Sequence, residues 1–218
     1  MSVCSPRMGS IMRIAVLGAS GRTGALVVDA ARSRGHEPVA VVRRPGSAPD
    51  GAEERLADGR DADALAEALA GCDAVVFAIG PSLGSSDHTV MRESMPAVVD
   101  AMRRRGITRL ATVSASGPYS EGDDPFLRYV AKPIVRRILR EPFADLAATE
   151  TVVRASGLDW TIVRPPQLQD GAARGRYRRR VGRGLPFGIS IRRADLADAM
   201  LDALDDDATV GATISVAA

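Results

Sequence analysis

The stretch from residue 13 to residue 44, RIAVLGASGRTGALVVDAARSRGHEPVAVVRR, constrains the fold more than any other part of the chain. Residues 14–17 form a short, continuous apolar run, which is typical of a strand buried on both faces of a parallel sheet. A glycine-containing turn follows, then a segment of helical composition at 25–31, and a second apolar run at 39–42. Strand, turn, helix and strand within about thirty residues predict one βαβ unit.

The turn after the first strand contains glycines at the spacing G-x-x-G-x-x-G. In such a loop the first glycine allows a sharp turn, the second leaves room for a pyrophosphate, and the third permits close helix–strand contact. The N–H groups at the helix start then face the phosphates, where the helix dipole favours negative charge. A tight turn without a ligand is the alternative. The predicted dinucleotide-binding residues of this loop are Gly18, Ser20, Gly21, Arg22, Thr23 and Gly24.

The end of the second strand indicates which dinucleotide is bound. Sites that select NAD usually carry an acidic residue there to bind the ribose hydroxyls, whereas this chain has Arg43 and Arg44. Guanidinium groups suit a 2′-phosphate, because each charge-assisted hydrogen bond contributes about 1.5–3 kcal/mol. Exposed arginines that merely end a strand are the alternative. The pattern therefore favours NADPH over NADH as the cofactor.

The composition is that of a globular protein. With 218 residues, 45% of them apolar, the chain is long enough for one domain that buries about 70% of its unfolded surface. The net charge of +2 gives no indication of nucleic-acid binding. Two cysteines without metal-ligand spacing, and no apolar run of membrane length, lead us to expect a cytoplasmic protein without a metal or a membrane partner. We expect a disordered tail at 1–12 and a single domain at 13–218.

Apolar strands and helical segments alternate along the rest of the chain. This alternation predicts the α/β class, with a doubly wound parallel sheet, helices on both faces and right-handed crossovers. Residues 45–60 are predicted to be a polar connection, and Pro133 and Pro142 are predicted to interrupt the fourth helix. The predicted strands are 14–17, 39–42, 73–79, 110–114, 160–163, 213–216 and a short one near Tyr177, and the predicted helices are 25–31, 61–70, 87–105, 126–155 and 195–204.

The sequence resembles the atypical short-chain dehydrogenase/reductase superfamily, in its NAD(P)H-binding, NmrA-like branch, and is most similar to the biliverdin reductase B/flavin reductase group. The similarity covers nearly the whole chain in the expected order, but its motifs do not specify a substrate. The matching segments are GASGRTG (18–24), VVRRP (41–45), CDAVVFAIG (72–80), LATVSASG (110–117), ASGLDWTIVRPP (155–166) and RRADLADAML (192–201).

This resemblance implies a Rossmann fold with NADPH bound over the carboxyl ends of the strands. Asp58 and Gly59 match the family's adenine-contacting pair, and Ser114 matches the serine beside the nicotinamide. The remaining matches are Ala78, Ile79 and Gly80, near the ribose and phosphates, and Pro165 and Pro166, at the nicotinamide end.

Topology gives a separate reason to examine Ser114. In a doubly wound sheet the ligand crevice lies at the switch point, which we place between the first and fourth predicted strands. Ser114 closes the fourth predicted strand and is expected to point into the crevice. Ser114 is the candidate catalytic residue, because its hydroxyl could hydrogen-bond an acceptor carbonyl or the nicotinamide amide. A serine that satisfies backbone groups in a turn is the alternative.

The chain departs from the superfamily in its proton-transfer residues. Typical members carry a Tyr-x-x-x-Lys pair, but the sole lysine here, Lys132, lies three residues after Tyr129 and is followed by Pro133. We therefore expect a reductase whose acceptor takes hydride directly while solvent supplies the proton, as flavins, quinones and biliverdin-like tetrapyrroles do. The alternatives are an NADP(H) sensor that acts through a protein partner and a nucleotide-sugar epimerase. We expect a monomer or a small homo-oligomer with a small-molecule hydride acceptor as substrate.

Overall fold

The computed structural model describes residues 11–81, 87, 89–116 and 140–218, and only the backbone of residues 140–142. The strands are β1 (Arg13–Leu17), β2 (Glu37–Val42), β3 (Glu53–Leu56), β4 (Ala74–Phe77), β5 (Arg109–Val113), β6 (Asp159–Arg164), β7 (Gln167–Gln169), β8 (Arg178–Val181), β9 (Ser190–Arg192) and β10 (Ala212–Ala217). The helices are α1 (Arg22–Ser33), α2 (Ala62–Ala68), α3 (Val90–Arg105), α4 (Arg140–Ala155) and α5 (Arg193–Asp205), with a 3-10 turn at Asp207–Thr209.

Eight strands form the central sheet in the order β3-β2-β1-β4-β5-β6-β10-β8. All neighbouring strands in this sheet run parallel except β8, which pairs antiparallel with β10 at the edge. The order reverses beside β1, because the chain proceeds outward through β2 and β3 and then returns to β4 on the other side. The predicted doubly wound α/β sheet of the Rossmann type is therefore confirmed.

Helices cover both faces of the sheet because alternate strand residues point to opposite sides. Ile14 and Val16 of β1 pack with α1 and α5 on one face. Ala15 and Leu17 belong to a second core that includes residues of α2, α3 and α4. Both faces of β1 are thus buried, as its continuous apolar run predicts.

The sequence analysis missed β3, and the omission misplaced the switch point. β3 lies in the segment predicted to be a polar connection; its sequence EERL is largely exposed at the sheet edge and shows no apolar run. With β3 in place, the strand at 74–77 is the fourth strand and pairs directly with β1. Ser114 follows β5, one strand further from β1, so the expectation that its strand flanks the switch point is wrong.

Two local predictions also need correction. β7 and β9 form a separate two-stranded parallel sheet in segments for which no strand was predicted. Helix α4 is described from Arg140 to Ala155, and the predicted interruption near Pro142 stays a prediction, because the residues before Arg140 lie outside the described ranges. Pro133 lies outside the described residues. Met12, assigned to the tail, is buried, and its N–H donates to His36 Nδ1 at 3.2 Å.

A carboxylate from another helix binds the N-terminus of α3. The sequence predicted that Asp87 begins this helix, but the residue before its first turn is Thr89, and Asp87 instead accepts the N–H of Thr89 at 3.0 Å. Buried Asp145 of α4 accepts the N–H groups of Met91 at 3.2 Å and Arg92 at 3.0 Å. A side chain distant in sequence therefore satisfies donors that are usually capped locally.

The carboxyl end of α5 is held by the buried guanidinium of Arg109 on β5. Its nitrogens donate to the carbonyl oxygens of Leu204 (3.1 Å) and Ala203, and to that of Asp159 (2.6 Å). They also donate to the hydroxyls of Thr161 and Thr209. Burial lowers the pKa of Arg109. A cation placed at a helix C-terminus complements the helix dipole, so this contact ties α5 to the sheet.

We expect Arg109→Lys to lower the free energy of unfolding by about 2–3 kcal/mol, because an ammonium offers three donors and leaves buried carbonyls unsatisfied. Urea denaturation measures the change. Arg104→Lys on the exposed end of α3 is the matched control and should change the free energy by less than about 0.5 kcal/mol. Equal effects of the two substitutions would contradict the assignment.

Candidate functional site

A cavity of about 580 Å³ opens at the carboxyl ends of β1, β2 and β4, beside the N-terminus of α1. It lies at the topological switch point, where open α/β sheets bind their ligands. The predicted cofactor residues that line it are Gly18, Ser20, Gly21, Arg22, Thr23, Arg43, Arg44, Asp58, Gly59, Ala78, Ile79 and Gly80. The predicted residues that do not line it are Gly24, Ser114, Pro165 and Pro166.

The glycine loop depends on close backbone contacts. Gly18 has φ +81°, and a Cβ there would lie 2.7 Å from the carbonyl oxygen of Ala78. A Cβ on Gly24 would overlap the carbonyl oxygen of Gly18. Gly24 thus lies beneath the cavity and acts through packing, since it lets α1 begin directly against the end of β1.

The first turn of α1 presents free backbone donors to the cavity. Gly21 is the N-cap, no side chain of the described residues caps the helix, and its first turn contains no acidic residue. The first intrahelical bond runs from the N–H of Ala25 to the carbonyl of Gly21 at 2.9 Å. The N–H of Gly21 donates to the carbonyl of Gly18 at 2.9 Å. The N–H groups of Arg22 and Thr23, which line the cavity, precede the first intrahelical bond and are available for an anion.

Arg43 and Arg44 line the cavity where β2 ends, and both are exposed. In the described part of the chain, no carboxylate forms an ion pair with either guanidinium. The nearby Glu54 instead accepts the N–H groups of Gly46 at 2.9 Å and Ala48 at 3.0 Å, and these bonds lower the pKa of its carboxyl. Both arginines can therefore bind a phosphate without breaking an internal ion pair.

Asp58 and Gly59, which come after β3, form another part of the cavity wall. Asp58 accepts the N–H of Arg60 at 2.9 Å, and a Cβ on Gly59 would lie 2.9 Å from the hydroxyl of Ser94. The guanidinium of Arg60 pairs with Asp87 at 2.8 Å and with Glu93, and the hydrogen bond from Arg60 lowers the pKa of Asp87. The sequence analysis missed Arg60 and Ser94, because only the three-dimensional fold brings them to this wall.

A further part of the wall comes from the small β7–β9 sheet, which the sequence did not predict. Leu168 of β7 and Arg193, the first residue of α5, line the cavity. Asp170 pairs with Arg193 at 2.6 Å and also with Arg22, so it links the glycine loop to the start of α5. Arg193 lies within the matched segment RRADLADAML, but nothing in that motif indicated a role for it.

Ser114 lies outside the cavity wall and is buried between the ends of β5 and β6. Its N–H donates to the carbonyl of Val163 at 2.8 Å, and the N–H of Ser116 donates to the carbonyl of Pro165 at 2.8 Å. The Ser114 hydroxyl donates to Glu150 of α4 at 2.7 Å. Sequence reasoning missed Glu150, although it precedes the matched SGLDWTIVRPP segment by only a few residues.

Comparison with known proteins agrees with this geometry. A family profile described as NAD(P)H-binding matches residues 18–207, which is most of the chain. The chain belongs to this NAD(P)H-binding family. The resemblance to the atypical short-chain dehydrogenase/reductase superfamily is thereby confirmed, and with it the binding of a nicotinamide cofactor.

Relatives of this NAD(P)H-binding protein extend over its full fold. The UPF0659 protein YMR090W of Saccharomyces cerevisiae is 29% identical over 95% of this chain and 93% of its own. The structure of ChuY, an anaerobilin reductase from Escherichia coli O157:H7, is 25% identical, with a TM-score of 0.72 over 94% of this chain and 96% of that chain. An oxidoreductase from Lactococcus lactis, 20% identical, shares the fold with a TM-score of 0.78 over 94% of this chain and 90% of its own.

The cavity fits the cofactor that the family implies. The described wall includes five arginines and two aspartates, an excess of positive charge suited to phosphates. Among the described residues there is no cluster of side chains that could hold a metal ion, and no described helix is long and apolar enough to span a membrane.

Gly24→Ala tests the close contact beneath the cavity. Alanine is the better helix former by about 1 kcal/mol, so propensity alone predicts stabilisation. We expect the opposite, a loss of at least about 2 kcal/mol in the free energy of unfolding, because the new Cβ overlaps the Gly18 carbonyl. Gly80→Ala is the control, since its Cβ would meet no atom of the described residues within 4 Å. Urea denaturation without ligand compares them, and a stabilised Gly24→Ala protein would refute the packing role.

Proposed function

We propose that this protein is an NADPH-dependent reductase that transfers hydride to a small conjugated acceptor such as a flavin, a quinone or a tetrapyrrole. The observation that carries the cofactor assignment is the pair Arg43 and Arg44. Both line the cavity at the end of β2, where an NAD-selective site carries a carboxylate, and both are without an acidic partner among the described residues. Two such guanidiniums suit a 2′-phosphate.

Different wall residues would bind different parts of the cofactor, and the order of these parts would follow the order of the strands in the sheet. Arg43 and Arg44 at β2 would bind the 2′-phosphate, and the N-terminal N–H groups of α1 would bind the pyrophosphate. Asp58 and Gly59 would lie beside the adenine, and Ala78 begins the stretch next to the ribose and phosphates. The turn at 165–166 would pack against the nicotinamide end, as the family resemblance implies.

A conjugated acceptor agrees with the absence of a Tyr-x-x-x-Lys pair from the sequence, because such an acceptor does not need that pair for proton transfer. When bound, NADPH supplies a hydride, so the acceptor gains two electrons and one hydrogen, and a solvent proton completes its reduction. Tyr129 and Lys132, the only tyrosine and lysine at a spacing close to the usual pair, lie outside the described residues. The description of the E. coli neighbour as an anaerobilin reductase supports a tetrapyrrole among the acceptors to be tested.

The decisive experiment measures NADPH oxidation by the purified protein against flavins, quinones and linear tetrapyrroles, after binding has been established by calorimetry. Turnover with one class of acceptor supports the reductase and defines its substrate. Tight NADPH binding with no acceptor reduced would overturn the reductase proposal in favour of a cofactor sensor.

The cofactor preference has its own test. We expect the double substitution Arg43→Ala and Arg44→Ala to weaken NADPH binding by about tenfold to a hundredfold, because charge-assisted bonds to the 2′-phosphate are lost. NADH binding should change less than about twofold, since NADH lacks that phosphate. Arg104→Ala, which removes an exposed arginine remote from the cavity, is the control. Equal loss of affinity for both cofactors would remove the assignment to NADPH.

A further inference from the structure

A buried carboxylate joins the ends of two central strands to α4. Glu150, with 5% of its side chain exposed, accepts the hydroxyl of Ser114 at 2.7 Å and the Nε–H of Arg164 at 2.9 Å on the same oxygen. Its second oxygen accepts from the terminal nitrogens of Arg164 at 2.5 Å and Arg154 at 3.2 Å. Ser114 directly follows β5 and Arg164 ends β6, so this network lies at the carboxyl edge of the sheet.

The hydrogen bonds of Glu150 determine whether Ser114 can donate a hydrogen bond to a ligand or only accept one. Arg164 contacts both oxygens of Glu150, the geometry of a guanidinium paired with an ionised carboxylate. An ionised carboxylate only accepts hydrogen bonds, so the single hydroxyl proton of Ser114 is directed to Glu150. The Ser114 oxygen keeps its lone pairs for another donor. Donation from Ser114 to an acceptor carbonyl would require that its bond to Glu150 be broken.

The order of the wall residues indicates what that donor is. From Arg43 at β2, the cavity extends past α1 at β1 to Ala78, Ile79 and Gly80 after β4. The next strand is β5, which pairs with β4 and is followed directly by Ser114. If the cofactor phosphates lie as proposed, the nicotinamide end points towards β5. A nicotinamide carboxamide carries two N–H donors, as an asparagine side chain does.

We infer that Glu150 is a positioning residue that fixes Ser114 as a hydrogen-bond acceptor for the nicotinamide carboxamide. This inference rests on the proposed function, because it requires a nicotinamide dinucleotide whose phosphates occupy the cavity and whose nicotinamide extends beyond the described wall to the end of β5. It assigns Ser114 to cofactor orientation in place of a hydrogen bond to the acceptor carbonyl. Arg164 contributes indirectly, because it holds the Glu150 carboxylate in place.

The contact is tested by measuring, with calorimetry, how tightly wild-type protein and its variants bind NADP⁺ and two analogues of it. The measurement does not require turnover. Three probes are compared: NADP⁺, its 3-acetylpyridine analogue and 2′-phospho-ADP-ribose. In the analogue an acetyl group without N–H donors replaces the carboxamide. The third probe has no nicotinamide. Wild-type protein should bind NADP⁺ about threefold to tenfold more tightly than the analogue, the equivalent of one hydrogen bond. Ser114→Ala should bind the two equally, and Glu150→Gln should discriminate less than wild type, because its amide N–H can donate to Ser114 and occupy the lone pair that the carboxamide needs.

Matched variants separate this contact from general damage. Ser114→Thr retains a hydroxyl and should restore the discrimination. Arg154→Ala removes a different partner of Glu150 and leaves the bond to Ser114, so it should discriminate as wild type does. If Glu150→Gln does not fold, Glu150→Asp, which shortens the side chain and withdraws it from Ser114, takes its place. All folded variants should bind 2′-phospho-ADP-ribose with wild-type affinity.

Each remaining outcome has a defined meaning. Retained discrimination in Ser114→Ala, or none in wild type, overturns the inference while leaving the cofactor site intact. Loss of discrimination in Arg154→Ala to the same extent as in Glu150→Gln also overturns it, because the effect would then be one of general packing. Failure of wild-type protein to bind 2′-phospho-ADP-ribose would instead refute the proposed function itself.

Discussion

The structure depends on the contact between the end of β1 and the beginning of α1. Gly24 lies so close to the carbonyl of Gly18 that no side chain fits between them, and Gly18 in turn approaches the backbone of Ala78 after β4. This contact brings two strand ends and one helix N-terminus to a single point. The cavity and its exposed backbone donors follow from it, because a larger separation would move α1 away from the sheet.

Charge around the cavity is arranged so that positive groups remain available for phosphates. Arg60 is paired with Asp87 and Glu93, and Asp170 lies between Arg22 and Arg193. These partly exposed pairs are individually weak in water, so a phosphate can compete for the guanidiniums.

Helix α4 connects parts of the protein that are distant in sequence. Its Asp145 binds the N-terminus of α3, and its Glu150 binds the ends of β5 and β6. Both carboxylates are buried, and each is satisfied by several donors. A buried charge is stable only with such partners, so these two residues specify how α4 lies against the sheet and the neighbouring helix.

The sequence alone determined the βαβ unit, the α/β class and half of the cavity wall. The apolar runs and the glycine spacing between 13 and 44 are local patterns, and the family resemblance implied the wall residues at 58–59 and 78–80. Only the tertiary structure revealed β3, since EERL lies at an exposed sheet edge, where burial does not impose an apolar pattern. Because β3 was missed, the strand at 110–114 was predicted to flank the switch point beside β1, whereas β4 does so. Glu150 was likewise unpredictable, because a carboxylate on a helix acquires its role only when the fold places it beside Ser114 and Arg164.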